Sequence, residues 1–291
     1  MVFKFGLTNI YFQGNEHSDS GSKKWDTISF DLGGYSNKLV CRISETDIPG
    51  LQWENRETAD LYIKGTQPDQ VQEHAQVIAT LLSFALDSHC CLSYMEKVGD
   101  ELPIRNLPTR GSFIQRNPVI DANNSDALKA FLRMSYSSYN ELHETRSLNV
   151  VIELFNLAEN QQPMELQLAT VFILLENLKA TYATQENYCN HYGKYYKNQK
   201  DKKNGLGFKT ILQEMFSSIG MKGETLSGLS SVVMLRNDII HTALSEKKFN
   251  EQYKIYTDCR NLIAEYLLRL LGFKGSFNLF SERGIGKKII E

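Results

Sequence analysis

After Ser125 the spacing of hydrophobic and polar positions along this chain changes period. Before it, Ile28, Phe30 and Leu32 alternate with polar residues, Gly33-Gly34 interrupt them, and Leu39-Val40-Cys41-Arg42-Ile43 returns. A period of two broken by a glycine pair predicts a β-hairpin with one apolar face. A second short strand pair is expected at Cys91–Val98 and Glu101–Ile104, turning at Gly99-Asp100. Between them, Ala75, Ile78, Leu81, Leu82 and Ala85 fall at helical spacing, predicting an amphipathic helix from Pro68-Asp69 to about Asp87. Pro68 sits where a first helical turn tolerates a missing N–H. Residues 105–125 carry the turn-forming runs Asn-Leu-Pro-Thr-Arg-Gly, Asn-Pro and Asn-Asn-Ser, and read as a linker or long surface loop.

Beyond Ser125 the period is helical throughout. One helix is expected over 126–143, with Leu128, Phe131, Leu132, Tyr136 and Tyr139 on one face, and a shorter one over 147–159, stopping before Pro163. Four more follow at about 164–187, 208–219, 227–243 and 248–271. In the last, Phe249, Tyr253, Tyr256, Ile263, Tyr266, Leu267 and Leu270 make a stripe. The expected fold class is α+β, a small β-rich N-terminal domain followed by an all-helical bundle. The expected division is a β-rich domain over 1–124, connecting helices over 125–162, a helical domain over 163–275 and a C-terminal tail over 276–291.

A chain of 291 residues has room for two modest domains. Its hydrophobic fraction of 42% and charged fraction of 23% are ordinary for a globular protein. No apolar run approaches the roughly 18–20 residues a membrane span needs, and Met1-Val-Phe-Lys-Phe does not read as a secretion signal. Cys41, Cys90, Cys91, Cys189 and Cys259 are odd in number and lack C-x-x-C spacing, which argues against a disulfide framework or zinc knuckle and suits a cytoplasmic location. Asn9-Ile-Tyr-Phe-Gln-Gly14 resembles a protease-cleavage scar, but Ile replaces the usual Leu and no tag precedes it, so the segment is read as native. With a net charge of -2 the chain has no global attraction for nucleic acid, so phosphate contacts must come from local basic patches.

The stretch that points to chemistry is Val232-Val-Met-Leu-Arg-Asn-Asp-Ile-Ile-His-Thr-Ala243, where polar residues interrupt an apolar helix. Asn237 and His241 are four apart and share a face. Arg236 starts about 140° from His241, and its long side chain can curl toward the same cleft. An imidazole that moves protons near neutrality, beside a fixed guanidinium charge, suits attack on a phosphodiester. On spacing alone, the simpler reading is an arginine capping helix polarity beside a core histidine satisfied by a backbone carbonyl.

The placement of this motif in the third of four C-terminal helices, with Asn directly after Arg and a long aromatic-leucine helix behind it, resembles the HEPN domain family over about residues 160–275. Leu174-Leu175-Glu176-Asn177-Leu178 is similar to the acidic position in the first helix of many such domains. The wider layout, with Ile78-Ala-Thr-Leu-Leu-Ser-Phe-Ala85 in a β-rich N-terminal part, looks like ApeA-type anti-phage proteins. The resemblance implies a metal-independent endoribonuclease that leaves a 2′,3′-cyclic phosphate and a 5′-hydroxyl, acting in anti-phage defence or toxin-like growth arrest. Arg236, Asn237 and His241 carry over as catalytic residues, and Glu176 as a group that orients Arg236. It also implies an RNA substrate, a homodimer whose two motifs share one cleft, a phage-derived trigger or regulatory partner, and no cofactor. The alternative is a non-catalytic HEPN module that binds RNA, nucleotide or a partner protein.

Lysines and tyrosines interleave between Tyr188 and Lys209. Lys194, Lys197, Lys200, Lys202 and Lys203 are candidates for phosphates, and Tyr192, Tyr195 and Tyr196 for base stacking. A solvated insertion whose rings pack on the core is the competing reading. Arg283-Gly-Ile-Gly-Lys-Lys288 lacks a full phosphate-loop pattern and reads as tail, and His74, His89 and His143 are too scattered to suggest a metal site.

Overall fold

The computed structural model describes residues 1–20, 23–44, 47, 57–100, 105–107, 117–159, 163–197, 205–223, 229–242, 245–281 and 284–291. The fold is α+β. Strands β1 (Val2–Thr8), β2 (Glu16–Ser20), β3 (Lys23–Leu32), β4 (Tyr35–Cys41) and β5 (Glu57–Lys64) precede helix α1 (Pro68–Ala85), and β6 (Leu92–Lys97) and β7 (Arg105–Asn106) follow it. Then come α2 (Ser125–Leu142), α3 (Leu148–Glu159), α4 (Met164–Gln185), α5 (Phe208–Ser218), α6 (Leu229–Thr242) and α7 (Phe249–Leu270). Two hairpins complete the described elements: β8 (Cys189–His191) with β9 (Lys194–Tyr196), and β10 (Gly275–Ser281) with β11 (Gly284–Ile290). No helix among the described residues is long and apolar enough to cross a membrane.

The chain divides into two compact units, Met1–Asn140 with Leu271–Leu279 and Lys287–Glu291, and Glu141–Leu270 with Phe280–Gly286. The first is built on a seven-stranded antiparallel sheet in the order β2-β3-β4-β5-β1-β6-β7. Gly33 and Gly34 both take positive φ, 60° and 81°, between the paired Leu32 and Tyr35. That is the two-residue turn whose twist matches a hairpin, so the glycine pair sets the β3–β4 register. Phe3, Phe5, Leu39, Leu61 and Ile63 are buried on the face covered by α1, whose Val71, Ala75, Ile78 and Leu82 are fully buried. Burying each such large side chain is worth about 1.5–3 kcal/mol.

Several expectations for this unit change. Strands β1 and β5 hold the centre of the sheet, although β5 reads Glu-Thr-Ala-Asp-Leu-Tyr-Ile-Lys with only a weak alternation. The partner expected for β6 at Glu101–Ile104 lies outside the described residues, and β7 supplies the pairing instead, Tyr94 to Asn106 and Met95 to Arg105. Within the expected linker, Val119 and Ile120 are fully buried and the Ile120 N–H donates to the Ala85 carbonyl at 2.9 Å, so its last part is core rather than surface. Ile10 and Phe12 are fully buried as well, which makes the 9–14 segment part of the same core. The expected tail forms β10 and β11, with Phe277 and Ile290 buried.

In the second unit α4 is the hub, packed against α3, α5, α6 and α7. Its buried residues, including Leu168, Phe172, Leu174, Leu175, Leu178 and Tyr182, surround the axis, as a helix covered on most sides requires. Arg146 is buried here, donating to Gln185 at 2.8 Å and to the Tyr266 hydroxyl, with its guanidinium over the Tyr182 ring. The stripe on α7 begins later than its spacing suggests. Phe249 is 63% exposed and stacks on Tyr253, whereas Tyr256, Ile263, Tyr266 and Leu267 are buried.

Candidate active site

Helix α6 buries Leu229, Val232, Leu235 and Ile239, a stripe at three- and four-residue spacing that turns toward α4 and α7. That stripe dictates where the polar residues go. Arg236 follows Leu235 by about 100° and lies on the flank of the buried face, half-buried. Asn237 and His241 are about 160° and 120° from Leu235 in the other sense, and both are exposed.

The flanking position lets Arg236 reach α4, where it is ion-paired with Glu176. It also donates to Asn237 Oδ1 at 2.9 Å, and its guanidinium lies 5.1 Å from the centroid of Phe208, the first residue of α5. Three helices thus hold one guanidinium. Its Nε is buried with no hydrogen-bond partner among the described residues. Glu176 is shared. Its other oxygen takes the ammonium of Lys179 one turn on, and Lys179 in turn lies 5.3 Å from the Phe208 ring and 5.5 Å from that of Tyr195. One carboxylate against two cations leaves the cluster with one unit of positive charge, over an aromatic floor. Neither Lys179 nor Phe208 stands out in the sequence as a candidate for this site. The i,i+3 spacing of Glu176 and Lys179 was the available signal for the first, and nothing local pointed to the second.

The motif is therefore brought together in part. Arg236, Asn237 and Glu176 form one hydrogen-bonded group. His241, one turn beyond Asn237, has no hydrogen bond or ion pair among the described residues. The arrangement can bind an anion, because Arg236 carries five donors and the Glu176 and Asn237 bonds use two of them. Phosphate would meet a guanidinium already held in orientation.

The lysine–tyrosine segment is an ordered hairpin where it is described. Tyr192 and Gly193, both with positive φ, turn β8 into β9, and the Asn190 side chain accepts from the Gly193 N–H at 3.0 Å. Tyr192 is 96% exposed at the tip beside His191, and Lys194 is exposed. Tyr195 faces Lys179 and so adjoins the Glu176–Arg236 group. Tyr196 does not face outward for a base: it is 8% exposed, with its ring against Gly205. Lys197 is ion-paired with Glu214 at 2.7 Å, and Tyr188 also donates to that carboxylate at 2.6 Å. Burial would raise the Glu214 carboxyl, but these two bonds outweigh it and hold the group below its usual range. Lys200, Lys202 and Lys203 lie outside the described residues.

Among the described residues, no three His, Cys, Asp or Glu side chains converge into a set that could hold a metal ion. No family model, curated protein or solved structure matches this chain.

Proposed function

We propose that the helical unit is a HEPN-type endoribonuclease that cleaves RNA without a metal ion, acting in anti-phage defence or toxin-like growth arrest. The observation that carries this reading is the capture of Arg236 by Glu176 across α6 and α4, with the exposed His241 on the same helix. Arg236 binds the scissile phosphate and stabilises charge on its oxygens as the barrier is crossed. His241 takes the proton from the 2′-hydroxyl. The 2′-oxygen then bonds to phosphorus, the bond from phosphorus to the 5′-oxygen breaks, and a second imidazole returns a proton to that leaving oxygen. The products are a 2′,3′-cyclic phosphate and a 5′-hydroxyl.

One His241 cannot serve both proton transfers at once, so the working unit is a homodimer with two motifs in one cleft. The apolar residues around the site support this. Met234 and Ile240 on α6 are 59% and 44% exposed, and Ile173 on α4 is 52% exposed. The second reading is a non-catalytic HEPN module that binds RNA, nucleotide or a partner protein. It is favoured by the lack of any bond from His241 to Arg236 or Asn237 among the described residues.

The test incubates the purified protein with total RNA in excess chelator and sequences the cut ends. Cyclic-phosphate ends from the wild type and none from His241→Ala are expected. Cleavage that needs magnesium and survives His241→Ala overturns the reading, and binding without cleavage leaves the non-catalytic module.

A further inference from the structure

The first unit carries a feature that this function does not use. One face of its sheet packs on α1, and the other forms a concave groove of about 890 Å³, within the range of ligand sites. The strand registers give it order. Tyr62 on β5 is directly opposite Lys38 on β4 and Lys4 on β1, and Lys64 follows two residues along β5 on the same face. Neighbouring strands are about 4.8 Å apart, so a half-buried phenol ring is bracketed by ammonium groups on both sides. Trp25, Ser29, Ser36 and Arg42 complete the wall.

The charges are not equivalent. Lys4 is paired with Glu96 at 3.0 Å and with Asp60 at 3.9 Å, and Asp60 also pairs with Arg42 and accepts from the Tyr94 hydroxyl at 3.2 Å. Tyr94 itself lies across Gly6, where a Cβ would run into its ring. Lys38 and Lys64 are exposed and have no ion pair among the described residues. The open part of the groove thus offers two uncompensated cations, Lys38 beside Tyr62 on the neighbouring strand and Lys64 two residues beyond it on the same strand.

We infer that this sheet face binds single-stranded RNA, with bases stacking on Tyr62 and Trp25 and phosphates meeting Lys38 and Lys64. A ring flanked by free ammonium groups matches a polymer that alternates flat bases with anionic links, and an open sheet admits a strand along its surface. The choice of RNA rests on the nuclease reading. A purely acidic partner would use the lysines and have no need of the rings.

The test uses the full chain with His241→Ala and excess chelator, so that binding is read without cleavage. A fluorescent single-stranded RNA of mixed sequence is titrated at several salt concentrations, with heparin as a polyanion that lacks bases. Tyr62→Leu is expected to weaken RNA binding roughly tenfold and leave heparin binding unchanged, while Tyr62→Phe retains affinity. Lys38→Gln with Lys64→Gln should flatten the salt slope by about 1.4, from two lost phosphate contacts on a single strand. Unchanged RNA affinity in Tyr62→Leu overturns the inference, as does an equal loss for heparin. Cleavage by the unaltered chain is scored separately. Cutting with no effect of the groove variants sinks this inference alone, and groove binding without cutting sinks the nuclease reading alone.

Discussion

Each compact unit holds a helical histidine, and the two have opposite surroundings. His74 on α1 is 3% exposed and stacks on Tyr35. Its Nε2 is 3.0 Å from Asn37 Oδ1 and its Nδ1 2.7 Å from the Tyr136 hydroxyl. Asn37 donates through Nδ2 to the Phe30 and Tyr35 carbonyls, so its oxygen must accept, which assigns the proton to Nε2 and leaves Nδ1 to accept from Tyr136. Every polar atom of that imidazole is answered from within the fold. His241 on α6 is exposed and answered by nothing among the described residues, and its neighbour Arg236 keeps a buried Nε without a partner. A fold satisfies the polar groups it buries, whereas an exposed imidazole that it leaves unanswered is open to a ligand. The contrast predicts which histidine governs stability and which governs activity.

The sharpest way to break the contrast is to exchange the effects. His241→Ala should lower RNA cleavage by about 10³-fold, with the thermal midpoint unmoved. His74→Ala should do the reverse, costing about 2–4 kcal/mol of stability through a cavity and two orphaned partners, while folded molecules keep their cleavage rate. Urea melts and single-turnover cleavage on both variants decide it. Activity loss in His74→Ala beyond the unfolded fraction would remove the distinction.

Acid sharpens it further. Burial pushes the His74 imidazole down to about 4 from an ordinary 6.5, so between these values the unfolded chain takes up a proton that the folded chain refuses. Stability is therefore complete above about pH 6.5 and falls as pH drops toward about 4, by about 3 kcal/mol. Urea midpoints between pH 7 and 4.5 should show this slope in the wild type and a shallower one in His74→Gln. Equal slopes would mean that other groups carry the acid response.

Three smaller effects probe the His241 side of the comparison. Met234→Glu with Ile240→Glu places charge on the apolar surface beside the motif. It should give a monomer by light scattering and cut cleavage by about tenfold at equal protein, because a charge buried in an interface is costly. A monomer with full activity at high dilution would exclude the shared cleft. Glu176→Gln releases Arg236 from its anchor and should slow cleavage about tenfold, with under about 1 kcal/mol lost in stability because the pair is partly exposed. Retained rates there would show that Arg236 is positioned without it. Smallest of all, Lys194→Gln should flatten the salt dependence of RNA binding by about 0.7. Lys197→Gln should leave that slope alone, because Glu214 already neutralises its ammonium.

What the sequence determined by itself is the part governed by local period. All seven helices among the described residues, the Gly33-Gly34 hairpin and the strand at Leu92–Lys97 fall within a few residues of where their hydrophobic spacing places them. Helix spacing repeats over several turns and identifies itself without reference to distant partners. Central strands do not. β1 and β5 become the middle of the sheet through pairing between residues roughly fifty to sixty positions apart, and a short apolar stretch such as Val2–Thr8 carries no mark of its partner. The candidate site divides the same way. Arg236, Asn237 and His241 were legible because one helix displays them at fixed spacing, and Glu176 because a family resemblance pointed to it. That Phe208 lies against the Arg236 guanidinium, that Lys179 shares Glu176 and carries Tyr195 beside it, that Tyr196 turns inward and that Lys197 is already paired were decided by packing. These facts depend on which helices and loops meet, and no local pattern in one segment records the surface of another.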